Sequence, residues 1–455
     1  MCERIVTEVD ASRALRSVDH EPSSWRWVCP PDERAPDGSF ATRGAAEAVR
    51  EPVRQTPSPT WAGRSLPAID SRPAPQGQSA QTTQPDPVDA ILRAVAAWGL
   101  PTTLTLPDEP LDGTAFAAVL AGAEQHRILG FLGDAVRDGA FPVTEEQWTQ
   151  VEERWSSWLA HALRVERLLL RAADALDAAG IDFRVLKGVA LAHLRYDDPA
   201  LRVFGDVDLL VRSADFTRAA NVLITALKGQ RALPELRPGF DERFGKEILV
   251  RVGAFEVDVH RTLVDGAYGL RVDLPDLFTD PQPFTVGERT LLGVGPEAAF
   301  LHACFAAALG DWPPRLVPQR DIAQIALGRL DVDAALAMAT RWRASAVVGS
   351  AVTAAWDGLG LDATHRLAAW ARSSEPSRRD GLLLRSYRGS GRGYSRTLAS
   401  LAVLRGVGPR AAYAIGVGSP SKEYLAARGL RRSDLARRLG RSVRNLKSGP
   451  DRAER

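Results

Sequence analysis

Gly205-Asp206-Val207-Asp208-Leu209-Leu210-Val211 is the stretch on which the reading of this chain turns. In an extended strand, residues two apart project from one face, so Asp206 and Asp208 point together while Val207 and Leu209 face a core. Two carboxylates side by side repel unless a cation lies between them. Mg2+ takes hard oxygen ligands and is commonly bound by one or two protein carboxylates plus substrate phosphates. An apolar strand with two acids on one face is therefore a candidate metal site. The spacing alone is weak, because Leu330-Asp331-Val332-Asp333 repeats it. That second pair opens a helical pattern, where Asp331 reads as an N-cap and Asp333 complements the helix dipole.

Context separates the two pairs. Upstream of Asp206, residues 181–186 (IDFRVL) read as a strand that ends at Lys187-Gly188, and a helix resumes over 189–196. Glycine permits close backbone approach, and a helix N-terminus offers free N–H groups to a phosphate. Downstream, residues 247–252 and 254–262 read as paired strands joined at Gly253. The second strand carries Phe255-Glu256-Val257-Asp258-Val259-His260, so Glu256 and Asp258 share a face and compete as the third acid.

Several neighbours have both a functional and an ordinary reading. Lys187 and Lys246 could reach a triphosphate or stand as exposed lysines. Arg202 could contact phosphate or pair with Asp197 or Asp198, a surface contact of small worth. His260 could be a core histidine bonded to backbone or could orient Asp258; Mg2+ prefers oxygen to imidazole. His302 and Arg320-Asp321 read as structural.

The layout resembles the DNA-polymerase-β-like nucleotidyltransferase superfamily, and more closely the bacterial family known as uncharacterised nucleotidyltransferases. The resemblance rests on Leu186-Lys187-Gly188, on Arg202-Val203-Phe204-Gly205-Asp206-Val207-Asp208-Leu209-Leu210-Val211, and on Asp258-Val259-His260. It extends over residues 121–325 and includes Leu301-His302 and Arg320-Asp321-Ile322-Ala323. It implies an α+β fold: a small mixed β-sheet nucleotidyltransferase core flanked by N- and C-terminal helical regions. It also implies two Mg2+ ions, with Mn2+ as a substitute, held by Asp206, Asp208 and Asp258 as catalytic and metal residues. Lys187, Gly188, Arg202, Gly205 and Lys246 would bind the nucleotide, with His260 and Glu256 behind the ligands. In such a site a nucleoside monophosphate passes from an NTP to an acceptor and pyrophosphate leaves. The wider superfamily carries Gly-Ser or Gly-Gly where this chain has Lys187-Gly188.

Outward from this core, residues 1–86 are rich in Pro, Ser, Arg, Gln and Thr and read as a disordered arm. Apolar periodicity predicts helices over 88–98, 115–135 and 145–179, then 214–227 with Ser213 as N-cap. Further helices are predicted over 297–309, 319–327, 332–343 and 345–359. The expected organisation is a helical region (87–180), a catalytic core (181–295), a C-terminal helical region (296–388), and a glycine-rich loop with a basic tail (389–455).

Composition excludes some classes. Of 455 residues, 45% are hydrophobic and 25% charged, and the net charge of +2 is too small to argue for nucleic acid or a membrane surface. The basic tail lacks interleaved aromatics on which bases could stack. Cys2, Cys29 and Cys304 are too few and too scattered for a disulfide framework, so a reducing, cytoplasmic setting is expected. The expected partners are an NTP and an acceptor that is a small molecule, a protein or an RNA end. Two rivals remain: a non-catalytic nucleotide- or partner-binding protein, and a metal-dependent phosphohydrolase.

Overall fold

A computed structural model of the protein describes residues 86–311, 314–387 and 392–431. The arm over 1–85, the glycine-rich segment 389–391 and the tail over 432–455 lie outside the described residues. Four helices come first: α1 (Pro87–Ala96), α2 (Gly113–Gln125), α3 (Leu129–Arg137) and α4 (Glu145–Ala178). The last has a reciprocal cap, in which Thr144 accepts from the Gln147 N–H and the Gln147 side chain accepts from the Thr144 N–H. The single helix expected over 115–135 is two. Arg127 adopts a left-handed φ of 59°, which no L-residue continues as α-helix, and the chain turns before α3.

The α/β part follows: β1 (Phe183–Val185), α5 (Lys187–Arg195), β2 (Val207–Val211), α6 (Phe216–Leu227), β3 (Gln230–Arg231), α7 (Phe240–Phe244), β4 (Glu247–Val252) and β5 (Phe255–His260). A hairpin that periodicity did not single out, β6 (Gln282–Val286) with β7 (Arg289–Gly293), completes it. Ser213 does not cap α6. It opens a three-residue 3-10 turn, and Asp215 precedes the helix without a side-chain cap. The C-terminal helices are α8 (Pro296–Leu309), α9 (Leu316–Ala326), α10 (Val332–Arg341), α11 (Ser345–Gly358), α12 (Arg366–Ser373), α13 (Arg378–Arg385), α14 (Arg392–Val403), α15 (Val407–Gly418) and α16 (Lys422–Ala427). No described helix is long and apolar enough to cross a membrane.

The seven strands form one mixed sheet in the order β3-β4-β5-β2-β1-β7-β6. At its centre β2 runs antiparallel to β1 and parallel to β5. Alternation splits the side chains between two cores. Val207, Leu209, Val257 and Val259 pack with Val165, Leu169 and Leu176 of α4 and with Phe216 and Leu223 of α6. Leu210 faces the other way, into a cluster with Phe300 and Leu301 of α8 and Ile322 of α9. The α+β architecture is thus a mixed sheet with helices before and after it in sequence. Its second face, which Asp208 and His260 share with Leu210, is covered by the C-terminal helices.

Candidate active site

The parallel pairing of β2 and β5 places Asp208 directly opposite Asp258, and Leu210 opposite His260. Carboxylate oxygens of Asp208 and Asp258 and a ring nitrogen of His260 all lie within 4.8 Å of one another. Asp208 is 2% exposed. Its Oδ1 receives the Lys187 ammonium at 2.7 Å and His260 Nε2 at 2.7 Å. Its Oδ2 is buried with no hydrogen-bond partner among the described residues. A buried carboxylate oxygen with no donor is costly, and it is the kind of atom a cation satisfies.

The charges around this pair act on it strongly. Asp258 is pushed up to about 8 by burial, by Glu247 and by Asp208. His260 is pushed down to about 3 by burial and by Lys246, so it is neutral, and the tautomer with the proton on Nε2 donates to Asp208. His260 therefore holds Asp208, where the sequence left it either a core histidine bonded to backbone or a residue orienting Asp258. Lys187 is held above the ordinary lysine range because Asp208, Asp206 and Asp258 together outweigh its burial. A proton on Asp258 and an ammonium on Asp208 are what three crowded acids adopt without a metal. The donor set fits a hard divalent cation.

The turn that delivers Lys187 is tight. Lys187 has a φ of 28°, uncommon for a non-glycine residue. A Cβ on Gly188 would come within 3.2 Å of the Phe204 Cβ. A Cβ on Gly205 would meet only His161 Nε2, at 3.8 Å, which leaves the approach to Asp206 open. Asp206 precedes β2 and lies outside the Asp208–Asp258–His260 group. Its charge nonetheless acts on Lys187, Asp258, Arg127 and Arg202.

The remaining residues singled out from sequence sort by their contacts. Lys246 bonds Glu247 Oε2 at 2.5 Å and lines the adjoining cavity. Glu256 is exposed and paired with Arg251 across the hairpin, one pleat outward from Asp258. Arg202 pairs with neither Asp197 nor Asp198. It makes a buried two-pronged ion pair with Asp321, through Nε and Nη2 at 2.8 Å each, and Asp198 caps the next turn instead. Tyr196 donates to the same carboxylate at 2.7 Å. His302 lies on α8, buried, kept neutral by burial and by Lys187, and lines the cavity.

Sequence reasoning missed Glu247. The Gly253 turn carried the signal, because a hairpin closing there sets Glu247 opposite His260. It also missed Arg127 and Arg195, which line the cavity from elements far apart in sequence. The cavity, of about 350 Å3, begins at Lys187 and Lys246 and runs beside α5.

A family model for uncharacterised nucleotidyltransferases matches residues 112–357, more than half of the chain. The chain belongs to this nucleotidyltransferase family. The matched span includes every acid of the site. Solved structures similar to part of the chain include the following three. The solution structure of the antibiotic-resistance factor ANT(2'')-Ia shares 16% identity, covers 40% of this chain and 92% of its own, and has a TM-score of 0.28. The crystal structure of ANT(2")-Ia in complex with adenylyl-2"-tobramycin shares 18% over 39% and 96%, with a TM-score of 0.29. An antigenic nucleotidyltransferase-like protein from Paracoccidioides brasiliensis shares 16% over 44% and 95%, with a TM-score of 0.24. No curated protein matches the chain.

Proposed function

We propose that this nucleotidyltransferase is Mg2+-dependent and transfers a nucleoside monophosphate from an NTP to an acceptor hydroxyl or similar nucleophile. One observation carries the reading: Asp208 and Asp258 face each other on adjacent parallel strands, with a buried Asp208 oxygen that no donor among the described residues satisfies. Family membership supports the reaction class. We assign residues 181–295 as the catalytic core, with helical regions over 87–180 and 296–388.

Asp206, Asp208 and Asp258 would hold the divalent ions, Mg2+ or Mn2+, which when bound supply Lewis acidity at the α-phosphate and offset its charge. Lys187 and Lys246 receive the β- and γ-phosphates, since cations favour oxyanions. The same contacts draw Lys187 off Asp208. His260 keeps Asp208 Oδ1 fixed and leaves Oδ2 turned to the site. Asp258, the acid that faces Asp208 from β5, takes the acceptor proton. The acceptor oxygen bonds the α-phosphorus, the bond from that phosphorus to the bridging oxygen breaks, and pyrophosphate leaves with the electron pair.

The test is incubation with each α-labelled NTP, Mg2+ and a cell extract. Label on an acceptor that is lost with chelator and in Asp208→Asn supports transfer. Label only in free monophosphate would make the protein a phosphohydrolase, and no turnover at all would make it a binding protein; either result overturns the proposal.

A further inference from the structure

The cavity beside the acids has a chemistry of its own. Lys187, Ala190, Leu191, Leu194 and Arg195 all line it. Ala190, Leu191, Leu194 and Arg195 form one face of α5 beyond the non-helical Gly188, so from the Lys187 turn the cavity follows this helix for roughly 8 Å at 1.5 Å per residue. The facing wall is α8, where Ala299, Ala303 and Ala306 leave the space open. The near end meets the acids through Lys187, the middle is apolar, and the far end is Arg195.

Arg127 and Arg195 line the cavity with no ion pair among the described residues, unlike the other cations of its wall. Lys187, Lys246, Arg202 and Arg315 are held by Asp208, Glu247, Asp321 and Asp311. Glu297 acts on Arg195 from beyond ion-pair distance, and of Arg127 and Arg195 only the latter has donors, Nε and Nη2, that are buried without a hydrogen-bond partner. Its backbone is fixed, because its carbonyl accepts from Gln324 Nε2 at 2.9 Å. A guanidinium stays charged and has no acceptor capacity, so buried donors of this kind disfavour the fold unless an oxyanion comes to them.

Resting on the nucleotidyl-transfer reading, we infer that this cavity is the acceptor pocket and that its acceptor carries an oxyanion, a phosphate or a carboxylate, on an apolar body. The oxyanion seats on Arg195 and the nucleophile extends along α5 to the acids. The triphosphate belongs at the Lys187 end, so the oxyanion at the Arg195 end is that of a second substrate. The cation-rich lining disfavours polycationic acceptors.

Calorimetric titration of the full chain with n-hexyl phosphate, heptanoate and heptylamine tests this, with Mg-ATP titrated separately. The expected result is saturable binding of one or both anions and none of the amine; whichever anion binds identifies the oxyanion. Arg195→Met should weaken anion binding at least tenfold, keep Mg-ATP affinity, and melt no lower than the parent, since an unsatisfied charge is removed. Ala303→Leu, which fills the middle of the channel, should likewise lose the anion and keep Mg-ATP. Asp208→Asn should keep the anion even where it loses nucleotide turnover, so failure of the function and failure of the pocket are read apart. Unchanged anion affinity in Arg195→Met, equal binding of the amine, a lower melting temperature, or loss of Mg-ATP binding with Arg195→Met would each overturn the inference.

Discussion

Two segments of this chain share an Asp-Val-Asp sequence and differ in everything around it. Asp331 Oδ1 caps α10 by accepting from the Ala334 N–H at 3.0 Å, and Asp333 is an exposed partner of Arg366. Asp208 is buried opposite Asp258, bonded to a lysine and a histidine, with one oxygen unsatisfied. In the helix the two acids point to different directions and meet water. In the strand the pleat buries Asp208, and the parallel neighbour sets Asp258 opposite it. The difference shows that the same Asp-Val-Asp spacing gives a buried cluster of potential metal ligands only where the backbone period and the strand next door supply one.

Substitutions can sharpen or break this contrast. Asp208→Asn should lower metal-dependent NTP turnover by roughly 10³-fold, the scale on which a single electrostatic element of such sites acts; steady-state assays with labelled NTP read it directly. Asp258→Asn should change the pH response of the metal-free protein. The folded carboxyl sits near 8 against 3.8 when unperturbed, so the folded state binds the extra proton between these values. The stability this gives is complete below about 4 and is lost as pH rises toward 8. Chemical denaturation across that window should show stability falling with pH in the parent and a flatter profile in Asp258→Asn, and Mn2+ should flatten the parent.

The other pair should respond only as structure. Asp331→Ala removes a cap and should cost about 1 kcal/mol in a melting experiment while leaving turnover unchanged. Asp333→Ala loses only an exposed ion pair and should stay within about 0.5 kcal/mol of the parent, again with full turnover. A turnover loss with Asp331→Ala comparable to that of Asp208→Asn would erase the contrast.

Much of the site could be read from sequence because it lies on strands, where alternation is strict. The facing of Asp208 followed from period two, which left Glu256 and Asp258 open until the family resemblance favoured Asp258; Asp206 precedes the strand, and the Lys187-Gly188 turn followed from a strand running into a helix. The β6–β7 hairpin carried a comparable signal in Gly287, at φ 59° in a two-residue turn, set between short strands that lacked a long apolar run. What could not be read came from contacts between distant elements. The Arg202–Asp321 pair joins residues 119 positions apart, and the cavity that Arg195 faces exists only once α5 packs beside α8. The break at Arg127 was invisible because neither Gly nor Pro marks it; tertiary packing there overrides a continuous helical pattern.

The most direct measurement is Mn2+ binding, followed by electron paramagnetic resonance in the presence of a non-hydrolysable ATP analogue, for the parent, Asp208→Asn and Asp331→Asn. The account predicts equal affinity in the parent and Asp331→Asn and at least a tenfold loss in Asp208→Asn. Equal Mn2+ affinity in all three proteins would contradict it.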